Sequence, residues 1–190
     1  MRTPRARTAL LLLLPLWLLL VALPAAAANG FRVERVETRI QGERVLLDAF
    51  VAYRFSAVAL EALENGVPLT VDVHIQVRRA DAWVWEESLV DMRLRAQIRY
   101  RPLSERYVVS PLPATGGRSY VTRDAAIAAL GEIGDLDLIT RDRLTPGERY
   151  EIHLRASLDI EELPLPLRPI AYLRPAWKLS SGWTKWPLEH

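Results

Sequence analysis

His74 and His153 are the side chains in this sequence best suited to move a proton or hold a metal. Each falls on a polar position of an alternating apolar/polar run, which turns it to solvent on one face of a strand. The spacings that would recruit them are missing: there is no H-E-x-x-H and no cysteine pair to complete a zinc site. With zero Cys the chain has no thiol nucleophile and no disulfide, and it contains no G-x-S-x-G. Glu86-Glu87 and Glu161-Glu162 are adjacent carboxylates, but neighbours in an extended chain point to opposite faces, so neither pair converges on a substrate. Asp135-Leu136-Asp137 lacks the glycine and distal glutamate of a calcium loop. Gly116-Gly117-Arg118-Ser119 offers an anion backbone amides, a weak signature by itself. These residues predict no enzyme, no catalytic group, no metal site and no cofactor.

Binding chemistry is better represented. Arg93, Arg95, Arg99 and Arg101 share one face of a strand and form a basic ridge. Such a ridge pairs with acids across the sheet, Asp72 and Glu151 being candidates, or contacts an anion: a lipid headgroup, a lipopolysaccharide or an acidic partner. A second group lies in the C-terminal third: Leu163, Pro164, Leu165, Pro166 and Pro169, followed by Trp177, Trp183 and Trp186. Prolines at near-alternate positions fix φ and extend their predecessors, which predicts polyproline II or an irregular edge strand over 163–169 rather than helix. Its leucines and the tryptophans either pack on the core as a strap or dock a partner protein or the membrane interface.

The elements that must carry these residues are mostly strands. Leu69–Val77, Val90–Arg101 and Tyr150–Ile160 alternate apolar and polar residues with period 2. One-sided alternation belongs to antiparallel sheets, since parallel ones are buried on both faces. Phe31–Ile40 and Val45–Phe55, joined at Gln41-Gly42, predict a hairpin; Arg106–Val109 and Leu136–Ile139 are shorter candidates. Two short helices interrupt the pattern: Ala57–Glu64, capped by Ser56 and stopped at Asn65-Gly66, and Arg123–Ile133, capped by Thr122 and ended by Gly134. Pro111–Gly117 predicts a flexible loop and Thr145-Pro146-Gly147 a tight turn. The fold class expected is mainly β: a single antiparallel, sandwich-like domain over 29–190 with two short helices and a proline-rich strap.

Residues 1–28 read differently. Arg2, Arg5 and Arg7 precede an apolar run from Ala9 to Leu23, and Ala26-x-Ala28 follows. These are the three parts of a secretory signal, with the cut placed before Asn29. Ala9–Ala28 is also 20 residues long, near the roughly 20 of a spanning helix, so an uncleaved anchor is the other reading. Both expect a periplasmic domain. The leader also explains the pI of about 9.1: without its three arginines, 22 basic side chains face 23 acidic ones. A nearly neutral domain gives no reason to expect nucleic acid.

The run Leu158-Asp159-Ile160-Glu161-Glu162-Leu163-Pro164-Leu165-Pro166-Leu167-Arg168-Pro169 and the ending Trp177-Lys178-Leu179-Ser180-Ser181-Gly182-Trp183-Thr184-Lys185-Trp186-Pro187 resemble the DUF4390 family of bacterial exported proteins of unknown function. Leu60–Leu69 and Tyr100–Val109 add to the resemblance, which spans essentially the whole domain. It implies no catalytic residue. It does imply a gene often found near those of a membrane sensor histidine kinase and its response regulator, of the NtrY/NtrX type. The function expected is a non-catalytic envelope protein that binds another protein, with the periplasmic domain of a sensor kinase as one candidate and peripheral membrane contact as a further expectation. The alternative is a binder of lipid or another apolar ligand between sheet layers.

Overall fold

The computed structural model describes residues 30–83, 86–113 and 116–189; the predicted leader lies outside them. The described residues form nine strands and three short helices. The strands are β1 (Gly30–Gln41), β2 (Arg44–Arg54), β3 (Leu69–Arg79), β4 (Val90–Arg101), β5 (Arg106–Leu112), β6 (Arg118–Tyr120), β7 (Glu132–Thr140), β8 (Tyr150–Leu158) and β9 (Thr184–Leu188). The helices are α1 (Ala57–Glu64), α2 (Arg123–Gly131) and α3 (Arg168–Leu173). β1-β2-β7 form one sheet and β6-β5-β4-β3-β8-β9 the other, with every pairing antiparallel.

The odd positions of β3, from Leu69 to Val77, are buried and meet Ile98, Ala96, Leu94, Met92 and Val90 on β4. On the other side they meet Leu158, Ala156, Leu154 and Ile152 of β8. β2 answers from the smaller sheet with Val45, Leu47, Ala49, Val51 and Tyr53, and Phe55 follows just past its end, all buried. Phe31 packs edge-on to Tyr53 at 4.7 Å and to Phe55 at 5.3 Å, which fixes the start of β1 over the end of β2. Each large aliphatic side chain buried here contributes about 1.5–3 kcal/mol.

The fold is the expected mainly-β sandwich-like domain, with corrections. α2 stops at Gly131, and Glu132 and Ile133 already pair with Phe50 and Ala49 of β2 as the start of β7. Ladder bonds to β2 outweigh the helical pattern of this segment. A Cβ on Gly131 would overlap the Val51 carbonyl oxygen, so the glycine lets the helix end against the edge of β2. The strap is neither polyproline II nor a strand. Leu167 N–H donates to Pro164 C=O (2.9 Å) in a turn, and α3 follows, making three helices rather than two. Pro169 is tolerated because it falls in the first turn, where an amide has no helical partner anyway. The alternation predicted through Ile160 ends at Leu158; Ile160 begins a 3-10 turn. β5 runs on through Pro111 and Leu112, which had been expected in a loop. β6 and β9 were not expected at all.

α1 ends as predicted. Gly66, at φ 83°, donates to Leu63 C=O, and Val67 N–H donates to Ala62 C=O, which together close a Schellman motif.

Candidate functional site

Three surfaces carry the candidate residues. The first is the outer face of the six-stranded sheet, where the even positions of β3 and the odd positions of β4 stand. Arg93 pairs with Asp72 (3.0 Å), while Arg95 reaches Asp159 (3.1 Å) and Glu162 (2.5 Å). Glu151, the other acid expected to meet the ridge, does not reach it. β3 lies between β8 and β4, so Glu151 pairs instead with His153 (3.0 Å) and Lys185 (3.4 Å). Among the described residues Arg99 meets no acid and donates to Gln97 Oε1 at 3.4 Å. Arg99 and Arg101 lie beyond Ile98, which is the last β4 residue paired to β3.

The two histidines stand on this face. His74 Nε2 lies 2.7 Å from Asp91 Oδ1, and Gln76 donates to Asp91 Oδ2 at 2.7 Å. These bonds hold the Asp91 carboxyl below the usual carboxylate range, with His74 the larger cause. The bond to His153 lowers Glu151 in the same way, with help from Lys185. The Trp183 indole leans on the His74 ring, centroids 4.9 Å apart. Each imidazole thus serves a carboxylate on its own face, and no group of three or more potential metal ligands forms among the described residues. Asp72 Oδ1 is buried and unpartnered.

The second surface is a cleft between the sheets. β5 leaves β4 at Arg95, so Asp91–Leu94 has no neighbour strand on that side among the described residues. β7 likewise has a strand on only one edge. Between them opens a cleft of about 300 Å³, floored by Val71 and Val73 and walled by Leu94, Ala96, Ile133 and Leu136. It continues past Leu130 toward Val109 and Arg118. Tyr53 also lines it; burial is the main cause, with nearby Asp72 adding to it, that pushes its phenol well above the usual range and keeps it protonated. Sequence reasoning missed this cleft, because it depends on which strands lie at the edges.

The third surface is the strap. The residues read as one docking surface are divided among three settings. Leu163 and Trp177 are buried in the core, and Trp186 packs on it from β9. Pro164, Leu165, Pro166 and Pro169 are exposed at one end of the sandwich, while Trp183 lies apart on the outer sheet face. α3, which the sequence hid, adds Ile170, Tyr172 and Leu173 to the exposed set. No helix among the described residues is long and apolar enough to cross a membrane.

No curated protein and no solved structure matches the chain. The model of one family does, over residues 28–187, from Ala28 to Pro187 in β9. The chain belongs to that family, described as a domain of unknown function (DUF4390).

Proposed function

We propose that the domain is a non-catalytic binding module of the cell envelope that holds another protein by inserting that partner's apolar side chains into the cleft between its sheets. The observation that carries this reading is the cleft itself. Its wall is apolar, and its two parts, of about 300 and 450 Å³, fall within the roughly 300–1,000 Å³ range of small-molecule sites. It is also open along one side. An open cleft takes in one or two anchoring side chains without enclosing a whole ligand as small-molecule sites do, and a few buried anchors supply most of the energy of a protein interface. Binding without catalysis agrees with the fate of the ionisable groups. Arg93 and Arg95 border the cleft through β4, but their charges are spent on Asp72, Asp159 and Glu162 outside it. The periplasmic part of a sensor kinase remains the first partner to try.

The lipid reading keeps one support, the apolar lining, and a single experiment separates the two. A photoreactive residue is placed at Leu112 or Ile133 on the cleft, with Ile40 at the far end of β1 as control, and irradiated in the native envelope. The protein reading expects polypeptide adducts from the cleft positions only. An adduct of lipid mass, or equal labelling at Ile40, contradicts it.

Export belongs to the same proposal. The exported protein is expected to begin at Asn29, which N-terminal sequencing reads directly; a chain that still carries Ala9–Leu23 is the tethered form.

A further inference from the structure

Nine large hydrophobic side chains are exposed among the described residues, and six of them, Leu103, Val121, Leu165, Ile170, Tyr172 and Leu173, fall at one end of the sandwich. The register shows that they share an end. β4 and β5 extend past the start of β3, because Leu69 pairs with Ile98 while the hairpin continues to Arg101 and Arg106. Leu103 is fully exposed at that tip. Val121 follows β6, whose Tyr120 pairs with Tyr107 of the same hairpin. The strap joins this end through Asp159 N–H, which donates to Thr70 C=O at the start of β3 (2.8 Å). Leu173 is 83 % and Leu165 73 % exposed, although Leu163 and Ala171 beside them are fully buried. The strap is therefore firmly seated while turning its other side chains outward.

The charges at this end are of two kinds. The acids are largely engaged: Glu64 by Arg123 (2.5 Å), Glu162 by Arg95 (2.5 Å) and Glu161 by the Tyr172 hydroxyl, leaving Glu61 and Glu105 exposed. Arg101, Arg106, Arg174 and Lys178 are exposed and enter no ion pair among the described residues. Apolar side chains ringed by unpaired cations fit the headgroup boundary of an anionic bilayer. The chain supplies an independent argument. β1 begins at Gly30, opposite Arg54 and beside the Ser180 carbonyl, so it enters the domain at this same end. In the tethered form, which still carries Ala9–Leu23, that run holds this end at the bilayer; in a chain that begins at Asn29 the seating rests on the exposed apolar side chains and unpaired cations alone.

We propose that this end, formed by the β4–β5 tip and the strap with α3, seats the domain on an anionic lipid surface. The seating leaves the cleft facing sideways, within reach of a membrane-bound partner. It does not depend on the cleft having a partner, and the two claims fail separately.

The chain has no cysteine, so single reporters can be introduced without background. Leu103→Cys, Leu165→Cys, Leu173→Cys and the control Asp142→Cys, which lies at the opposite end beyond β7, are made in the full chain. Each carries an environment-sensitive fluorophore and is reconstituted in phosphatidylethanolamine–phosphatidylglycerol vesicles doped with a headgroup quencher. The three end positions are expected to be strongly quenched and the Asp142 position not. Arg101→Gln and Lys178→Gln are each expected to lower the ratio of seated to lifted domain about fivefold. Vesicles of phosphatidylcholine alone are expected to lose the quenching. Quenching at the end positions no greater than at Asp142, or quenching indifferent to both lipid charge and the two neutralised cations, overturns the proposal.

Discussion

At the scale of single residues, the outer sheet face shows how cross-strand pairing uses up chemistry that looks available in sequence. His74 and His153 were legible as polar-face strand residues because period 2 places them there. Of their carboxylate partners, Asp91 was not legible, since it arrives from β4, whereas Glu151, two residues away on the same face of β8, follows from the same period. The arginine ridge was legible as a ridge, but which arginines are neutralised depended on strand order. A titration follows from the bonds. Asp91 and Glu151 have depressed folded-state pKa values. The stability they contribute is present above the unfolded carboxylate range of about 4 and is lost as pH falls through the lower folded values. Asp91 is exposed and Glu151 half-buried at the sheet surface, where water screens both, so each is worth no more than about 1 kcal/mol. His74→Ala is expected to raise the Asp91 pKa toward its ordinary value, read by carboxyl NMR titration, and Asp91→Asn to flatten the acid limb of a stability–pH curve. An unmoved Asp91 titration in His74→Ala would remove the bond as the cause.

At the scale of elements, the long alternating strands and the capped helix α1 could be read directly because local pattern and tertiary role agree in them. The segments that could not be read were those in which one overrides the other. Glu132-Ile133 continues a helical pattern but is taken into β7 by β2, and α3 hides in a run whose prolines argue against helix until Pro169 is placed in the first turn. β9 is five residues long, contains Pro187 and exists because the edge of β8 is free to receive it. Three substitutions test this by urea denaturation. Leu163→Ala is expected to cost about 2–5 kcal/mol, because that side chain is fully buried beneath the strap. Leu165→Ala, two residues on and exposed, is expected to stay within about 0.5 kcal/mol. Gly131→Ala is expected to cost about 1–3 kcal/mol through the clash with the Val51 carbonyl; a neutral result would mean that α2 does not end against β2 as described.

At the scale of the whole molecule, the architecture assigns different work to different surfaces. On the broad polar face Asp72, Asp91 and Glu151 each meet a partner, while Arg99 and Arg101 meet no acid among the described residues. One end gathers exposed leucines and unpaired cations, and the unequal widths of the two sheets leave a cleft where β4 and β7 lack neighbours. None of these three could be placed from sequence, which contains the strands but not their order. Filling the cleft tests the central claim most directly. Ala96 stands on the inner face of β4 and lines both parts of the cleft, so Ala96→Leu occupies the space an anchoring side chain would take. With the photoreactive residue at Leu112, the proposed function predicts that Ala96→Leu abolishes the polypeptide adduct while thermal unfolding shows a folded domain. Retention of the same adduct by the filled, folded protein would contradict it.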